Sequence, residues 1–349
     1  MKRIIVCCDG TWQNLETSYP TNVVKMAQAI KPISTNSHER IYQILFYDEG
    51  LGTGNYLIDK IGGGAFDWGI DQAIQRAYRF LCLNYEEGDE IYLFGFSRGA
   101  YTARSLAGLI YCSGLLQRQY IRKISEAYEL YRNRDENARP SGEKAIKFRQ
   151  QYGERVPIEV LGCWDTVGSL GIPDLIPYLP IDNWVNEKYK FFDTRVNRYI
   201  KKAFHAVAID EHRKAFNVTP MTHHSPYRET NQVKQIWFPG VHGCVGGGTQ
   251  SIRGLSDATL DWMMDEVSAI GLDLDKSRVE DGIQADYKTI FYNDQKIFNI
   301  IIPSILREVD GEFSDLHESV KRRWQDASLN YQPENLKKFE RQLNDWKPE

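Results

Sequence analysis

The 349-residue chain lacks a Cys-x-x-Cys pair, and its six cysteines (Cys7, Cys8, Cys82, Cys112, Cys163 and Cys244) form no cluster at zinc spacing. That argues against a zinc ribbon or a dithiol redox motif. A basic excess is missing too: 43 Lys and Arg stand against 47 Asp and Glu, a net charge of −4. Nucleic acid is therefore not the expected partner, because phosphate binding wants a basic surface. No apolar run approaches the ~20 residues that span a bilayer. The opening Met1-Lys2-Arg3-Ile4-Ile5-Val6-Cys7-Cys8-Asp9-Gly10 carries no signal-peptide h-region or small-residue cleavage site. The expected location is cytoplasmic, with secretion by a route that needs no cleaved signal left open. Internal repeats and low-complexity linkers are absent. Apolar material is plentiful, at 42% hydrophobic and 12% aromatic residues, enough for a sizeable core. Cys7, Cys8, Cys82 and Cys163 lie in apolar or helical runs and read as small buried hydrophobes of a reducing compartment.

Apolar β-rich runs alternate with helical stretches. Five candidate strands are Arg3–Cys8, Ile41–Tyr47, Glu90–Phe94, Pro157–Cys163 and Val233–Phe238. Helices are expected over Val23–Ile30 with a cap at Thr21-Asn22, over Asp67–Tyr85, Ala100–Leu116 and Ser256–Ile270. In the second of these, Ile70, Ala73, Ile74, Ala77, Tyr78 and Leu81 make one apolar stripe. Continuous apolar strands between helices imply an α/β fold whose mostly parallel sheet is covered on both faces. The expected layout is a catalytic core over residues 1–270, with a charged helical insertion at 117–155 and a candidate lid at 172–196. A helical appendage at 271–349 packs on that core.

The sharpest motif is Gly95-Phe96-Ser97-Arg98-Gly99. It follows the strand Ile91-Tyr92-Leu93-Phe94 and opens a helix rich in small residues. This strand–turn–helix context is what a nucleophile elbow requires. Gly95 and Gly99 let the turn close where a β-carbon would clash. The turn lifts the Ser97 hydroxyl off the sheet edge.

A serine needs a base to take its proton, and histidine is the usual one. Of seven histidines, His242 follows the last candidate strand in the glycine-rich run Val241-His242-Gly243-Cys244-Val245-Gly246-Gly247-Gly248. In this type of fold the orienting acid lies between serine and histidine in the chain. Asp165, at the end of the fourth candidate strand, meets that condition. Asp210 lies inside a helical-looking run, and Asp257 follows the histidine. The backbone N–H of Arg98 is the first expected oxyanion donor. Gly10 or Thr11, at the turn that ends the first strand, supplies the second. Asp9 in the same turn and Cys244 past the base are supporting positions.

Five ordered stretches, KRIIVCCDGTW, GFSRGAYTAR, CWDTVGSLG, HAVAIDEHR and WFPGVHGCVGGG, carry a resemblance. Together they look like the α/β-hydrolase family that includes the phospholipase effectors of bacterial type VI secretion, with uncharacterised bacterial and fungal relatives. The matches run from residue 2 to about 264. The resemblance implies ester hydrolysis of lipids, with Ser97, Asp165 and His242 at the positions of the family's catalytic serine, aspartate and histidine. Family members commonly carry an aspartate where this chain has Cys244. The effector role itself is not part of the expectation, since no long extension that targets secretion is seen.

Other motifs point elsewhere more weakly. Gly50-Leu51-Gly52-Thr53-Gly54 continues with Asn55 instead of the glycine of a dinucleotide loop, and no Gly-Lys-Ser/Thr follows it. His205 and His212 are seven apart, off the i, i+4 spacing of a helical ligand pair, so HAVAIDEHR reads as a buried polar network bracing the sheet. The apolar, proline-rich stretch from Ile172 to Trp184 reads equally as a lid, a lipid-contacting surface or ordinary packing. The expected function is thus a serine ester hydrolase of the lipase, phospholipase or esterase type. It needs no cofactor or metal, its substrate is an ester or lipid, transient contact with a membrane surface stays open, and any protein partner is unknown. A thioesterase or other acyl hydrolase stays open, as does a non-catalytic or partner-restrained binding module.

Overall fold

A computed structural model describes residues 1–10, 18–35, 40–49, 65–168, 195–223, 232–293, 296–297, 300–301 and 303–348. Thr11, the 50–54 glycine loop, His38, His224 and all of the candidate lid except residues 195–196 lie outside these residues.

Seven strands form the central sheet: β1 (Lys2–Cys8), β2 (Ile33–Ser34), β3 (Ile41–Asp48), β4 (Glu90–Phe96), β5 (Ile158–Trp164), β6 (Ile200–Ala208) and β7 (Gln232–Phe238). Their order is β7-β6-β5-β4-β1-β3-β2. Every pairing is parallel except that of the short edge strand β2 with β3. β4 and β5 are almost entirely buried apolar runs, as a sheet covered on both faces demands. The chain first builds outward from β1 to β3, then crosses to the other side of β1 with β4. The carboxyl ends of β1 and β4 therefore flank a topological switch point, where open α/β sheets place their ligands.

The sequence boundaries are close to those observed. Helix α1 (Asn22–Ala29) starts where the Thr21 side chain accepts the Val24 N–H. All six apolar-stripe residues of α2 (Ala65–Asn84) are buried. Helix α3 (Arg98–Ser113) stops earlier than expected because Gly114 adopts φ +79°, a left-handed conformation that breaks the helix. Leu115–Leu116 then pairs with Gly153–Glu154, and this ladder closes the insertion that carries α4 (Ile124–Arg132) and α5 (Glu143–Tyr152). The run from His205 to Ala208 is not helical. It belongs to strand β6, whose Ala203 to Ala208 are all buried between β5 and β7. Four consecutive apolar residues, Ala206 to Ile209, satisfy a buried strand as well as a helix, and flanking pairing decides between them.

Helices α2, α3 and α4 cover one face of the sheet. Helices α1 and α7 (Arg253–Ser268) cover the other, on Tyr92, Phe94, Trp164 and Phe204. A third cluster joins Val207, Ile209 and Trp237 to Val309, Leu316, Val320, Trp324, Leu336 and Phe339 of the C-terminal segment. That segment carries α8 (Glu318–Gln325) and α9 (Glu340–Asp345) and packs beside the ends of β6 and β7.

Candidate active site

Ser97, Asp165 and His242 converge at the carboxyl edge of the sheet from three different strand ends. Ser97 follows β4 with φ +57° and ψ −121°, a strained conformation for a residue with a β-carbon. Its N–H donates to the Trp164 carbonyl at 3.0 Å, which ties the turn to β5. The flanking glycines are obligatory here. A β-carbon on Gly95 would sit 2.4 Å from the Gly99 carbonyl oxygen, and one on Gly99 would sit 2.0 Å from the Cys8 carbonyl oxygen. The elbow thus closes only because two backbones touch.

Asp165 follows β5, also at positive φ (+37°). Its N–H donates to the Ala206 carbonyl at 2.8 Å. His242 opens α6 (His242–Gly246), a short helix within the glycine-rich run. The Ser97 Oγ lies 2.9 Å from His242 Nε2, and His242 Nδ1 lies 2.5 Å from Asp165 Oδ2. All three side chains are buried, Asp165 fully. The imidazole lies between two rings, Phe96 at 4.7 Å and Phe216 at 4.8 Å between centroids. A β-carbon at Gly246 would come within 1.9 Å of the Phe96 ring, so this glycine lets Phe96 reach the histidine.

The competing aspartates are committed elsewhere. Asp210 Oδ2 accepts the Gly240 N–H at 2.6 Å and the Tyr331 hydroxyl at 2.8 Å. Asp257 pairs with Lys25 at 2.6 Å, both side chains fully buried. The HAVAIDEHR run is the polar brace expected of it. His205 Nε2 accepts the Thr166 N–H at 3.1 Å, and its Nδ1 lies 2.9 Å from Gln235 Oε1. Burial pushes the His205 imidazole down to about 3, which keeps it neutral. Glu211 accepts the His242 backbone N–H at 3.2 Å and is ion-paired with Arg213 at 2.6 Å. Burial opposes its charge, yet Arg213 prevails and lowers the carboxyl.

The turn after β1 differs from the simple oxyanion expectation. The Gly10 N–H donates to Asp9 Oδ1 at 2.7 Å, so in this state that donor is occupied. The other oxygen, Asp9 Oδ2, accepts from Thr21 Oγ1 at 2.7 Å and Tyr47 OH at 2.8 Å. Burial raises the Asp9 carboxyl to about 6 against these hydrogen bonds. Arg98 is the first residue of α3, where backbone N–H groups lack helical acceptors. Cys244 is fully buried beneath Gly240, whose added β-carbon would lie 2.4 Å from Cys244 Cβ. Burial, with Asp210 and Glu211 nearby, pushes its thiol to about 12.

Sequence reasoning missed Arg307. Its guanidinium reaches Asp165 with two parallel bonds, Nη1 to Oδ1 at 2.7 Å and Nη2 to Oδ2 at 3.0 Å, and it is fully buried. Burial alone would raise the Asp165 carboxyl. Arg307 and His242 overcome that penalty and hold it well below the usual carboxylate range.

Residues 2–266 match the family described as type VI secretion system phospholipase effector Tle1-like, catalytic domain. The chain belongs to this family. The part of the family it matches is the catalytic domain. An uncharacterized protein of Saccharomyces cerevisiae, YEL023C, is 29% identical to it over 243 residues, which cover 63% of this chain and 33% of the yeast protein. A crystal structure of an uncharacterized protein from Pseudomonas aeruginosa aligns with a TM-score of 0.43 at 18% identity, over 80% of this chain and 47% of that one. The structure of the Tle1 effector bound to the VgrG spike aligns with a TM-score of 0.41 at 18% identity, over 72% and 52% of the two chains. The Tle1-like chain described here thus spans a third of the yeast relative and about half of each solved structure.

Proposed function

We propose that the chain is a serine hydrolase that cleaves carboxylic esters of acyl lipids, with Ser97 as nucleophile, His242 as base and Asp165 as orienting acid. The observation that carries this reading is the continuous hydrogen-bond chain from Ser97 Oγ through His242 to Asp165, at 2.9 and 2.5 Å. Ser97 attacks the ester carbonyl while His242 Nε2 takes its proton. The same nitrogen then gives that proton to the leaving alcohol, and an acyl group stays on Ser97. Water, deprotonated by His242, releases the acid and restores the serine. Asp165 holds the imidazole with its proton on Nδ1 and stabilises the imidazolium that forms. The Arg98 N–H, at the positive end of α3, faces the developing oxyanion. The second donor comes from the Asp9–Gly10 turn, once substrate oxygen replaces the Asp9 carboxylate on the Gly10 N–H. Acyl lipid as the substrate rests on the family match.

The test is release of fatty acid from a panel of phospholipids and short-chain esters by wild type, Ser97→Ala and Asp165→Ala. Removal of a nucleophile that works as a unit with its base lowers kcat by about 10⁴–10⁶. A fluorophosphonate probe should label wild type at Ser97 and leave Ser97→Ala unlabelled. Equal turnover in wild type and Ser97→Ala would refute the assignment.

A further inference from the structure

The segment from residue 303 onward threads back to the catalytic edge. The Lys214 N–H donates to the Pro303 carbonyl at 2.8 Å, and the Ile305 N–H to the His212 carbonyl at 2.7 Å. This short pairing delivers Arg307 beneath the ends of β5 and β6. There its Nη1 also donates to the Ala208 carbonyl at 2.8 Å, and its Nη2 to the Phe216 carbonyl. The Asn335 side chain clips the arrangement from behind, donating to the Arg307 carbonyl at 3.1 Å and to the Ile209 carbonyl at 3.0 Å. Asp165 is then held at four points. Its Oδ1 accepts from the Ala208 N–H and Arg307, and its Oδ2 is shared by Arg307 and His242.

We infer that Arg307 is a positioning residue for ester hydrolysis, acting through Asp165, so that the C-terminal segment completes the active site formed by the 2–266 family region. The inference rests on the serine-hydrolase reading above. A bidentate guanidinium fixes the plane of a carboxylate as no single hydrogen bond can. With that plane fixed, Oδ2 points along the Nδ1 direction of His242. The fork also shares the carboxylate's charge, so the imidazolium formed during turnover draws on only part of it. Other charged or titratable groups border the site. His205 sits behind Thr166, with Arg104 nearby, and Glu211 lies at the His242 backbone with its partner Arg213. His205 bonds Thr166 and Gln235, Glu211 bonds Arg213 and the His242 N–H, and Arg104 donates to the Thr219 and Pro220 carbonyls.

The test uses the full chain and two substitutions, with Ser97→Ala alongside. For Arg307→Met, kcat should fall about 10²–10³-fold with KM changed little, as when an interaction that orients the reacting groups is lost. The acid limb of the kcat/KM profile should move to higher pH, because His242 then faces the carboxylate with no guanidinium sharing its charge. Packing effects alone would leave that limb in place. Arg307→Lys keeps a charge but not the fork. It should lose at least about tenfold in kcat, with a smaller displacement of the limb, and it decides the question if Arg307→Met does not fold. Wild-type kcat and an unmoved acid limb in a folded Arg307 variant, with Ser97→Ala inactive, would overturn the inference while leaving the hydrolase reading intact. Activity retained in Ser97→Ala would instead overturn the reading beneath it.

Discussion

Asp210 offers a quantitative test of how burial acts in this protein. Its carboxyl is nearly inaccessible, and burial raises it to about 6 from 3.8 despite the Gly240 and Tyr331 hydrogen bonds. A carboxyl that binds its proton more tightly when folded contributes stability at low pH and loses it as pH rises. The full contribution is present below about 4, drains away up to about 6 and is absent at pH 8. At about 1.4 kcal/mol per pH unit, the loss is about 3 kcal/mol. Both hydrogen bonds reach the same oxygen, Oδ2, so the amide oxygen of Asp210→Asn can accept both. The variant should match wild type near pH 4 and exceed it by up to about 3 kcal/mol at pH 8. Urea unfolding of both proteins at the two pH values reads this difference directly, with other titrating groups cancelling between them. If Asp210→Asn were destabilised equally at both pH values, the charge would be well solvated or paired in the folded state and the argument would fail.

Two further substitutions probe the packing around the site. Gly246→Ala places a methyl 1.9 Å from the Phe96 ring, which must move away from His242. A cost of about 1–3 kcal/mol in melting experiments should come with a drop in kcat, and wild-type values for both would refute this account of the glycine. Lys25→Met strips Asp257 of a fully buried partner 2.6 Å away and should cost about 3–5 kcal/mol in urea unfolding. Adding Asp257→Asn should recover part of that loss, and no recovery would show that the charge is not the cause.

Much of the site was readable because its chemistry is local. The Gly95–Gly99 pentapeptide sits where a strand meets a helix, and chain order separates Asp165 from Asp257, whereas Asp210 was set aside on a helical-looking run that is in fact the end of β6. The fold was also largely legible, since continuous apolar strands betray a sheet covered on both faces. β6 escaped because its apolar run satisfies both periods, and only pairing with β5 and β7 settles it. Arg307 escaped for a different reason. It meets Asp165 across 142 residues of chain, from a stretch whose sequence, Ile305-Leu306-Arg307-Glu308, reads as an ordinary amphiphilic surface. A buried ion pair leaves no periodic trace. The Gly10 hydrogen bond to Asp9 was equally hidden, because nothing in a turn sequence tells which acceptor its N–H will find.

The position of Arg307 also sets an order of events in synthesis. A ribosome adds about 5–20 residues per second, N-terminus first. Ser97, Asp165 and His242 are therefore all made before the arginine that braces one of them. Until that residue emerges and threads back, the growing chain holds Ser97 and His242 beside an Asp165 that lacks its guanidinium clamp. The Ser97–His242–Asp165 cluster thus reaches its final geometry late, after most of the sheet that carries it has been made.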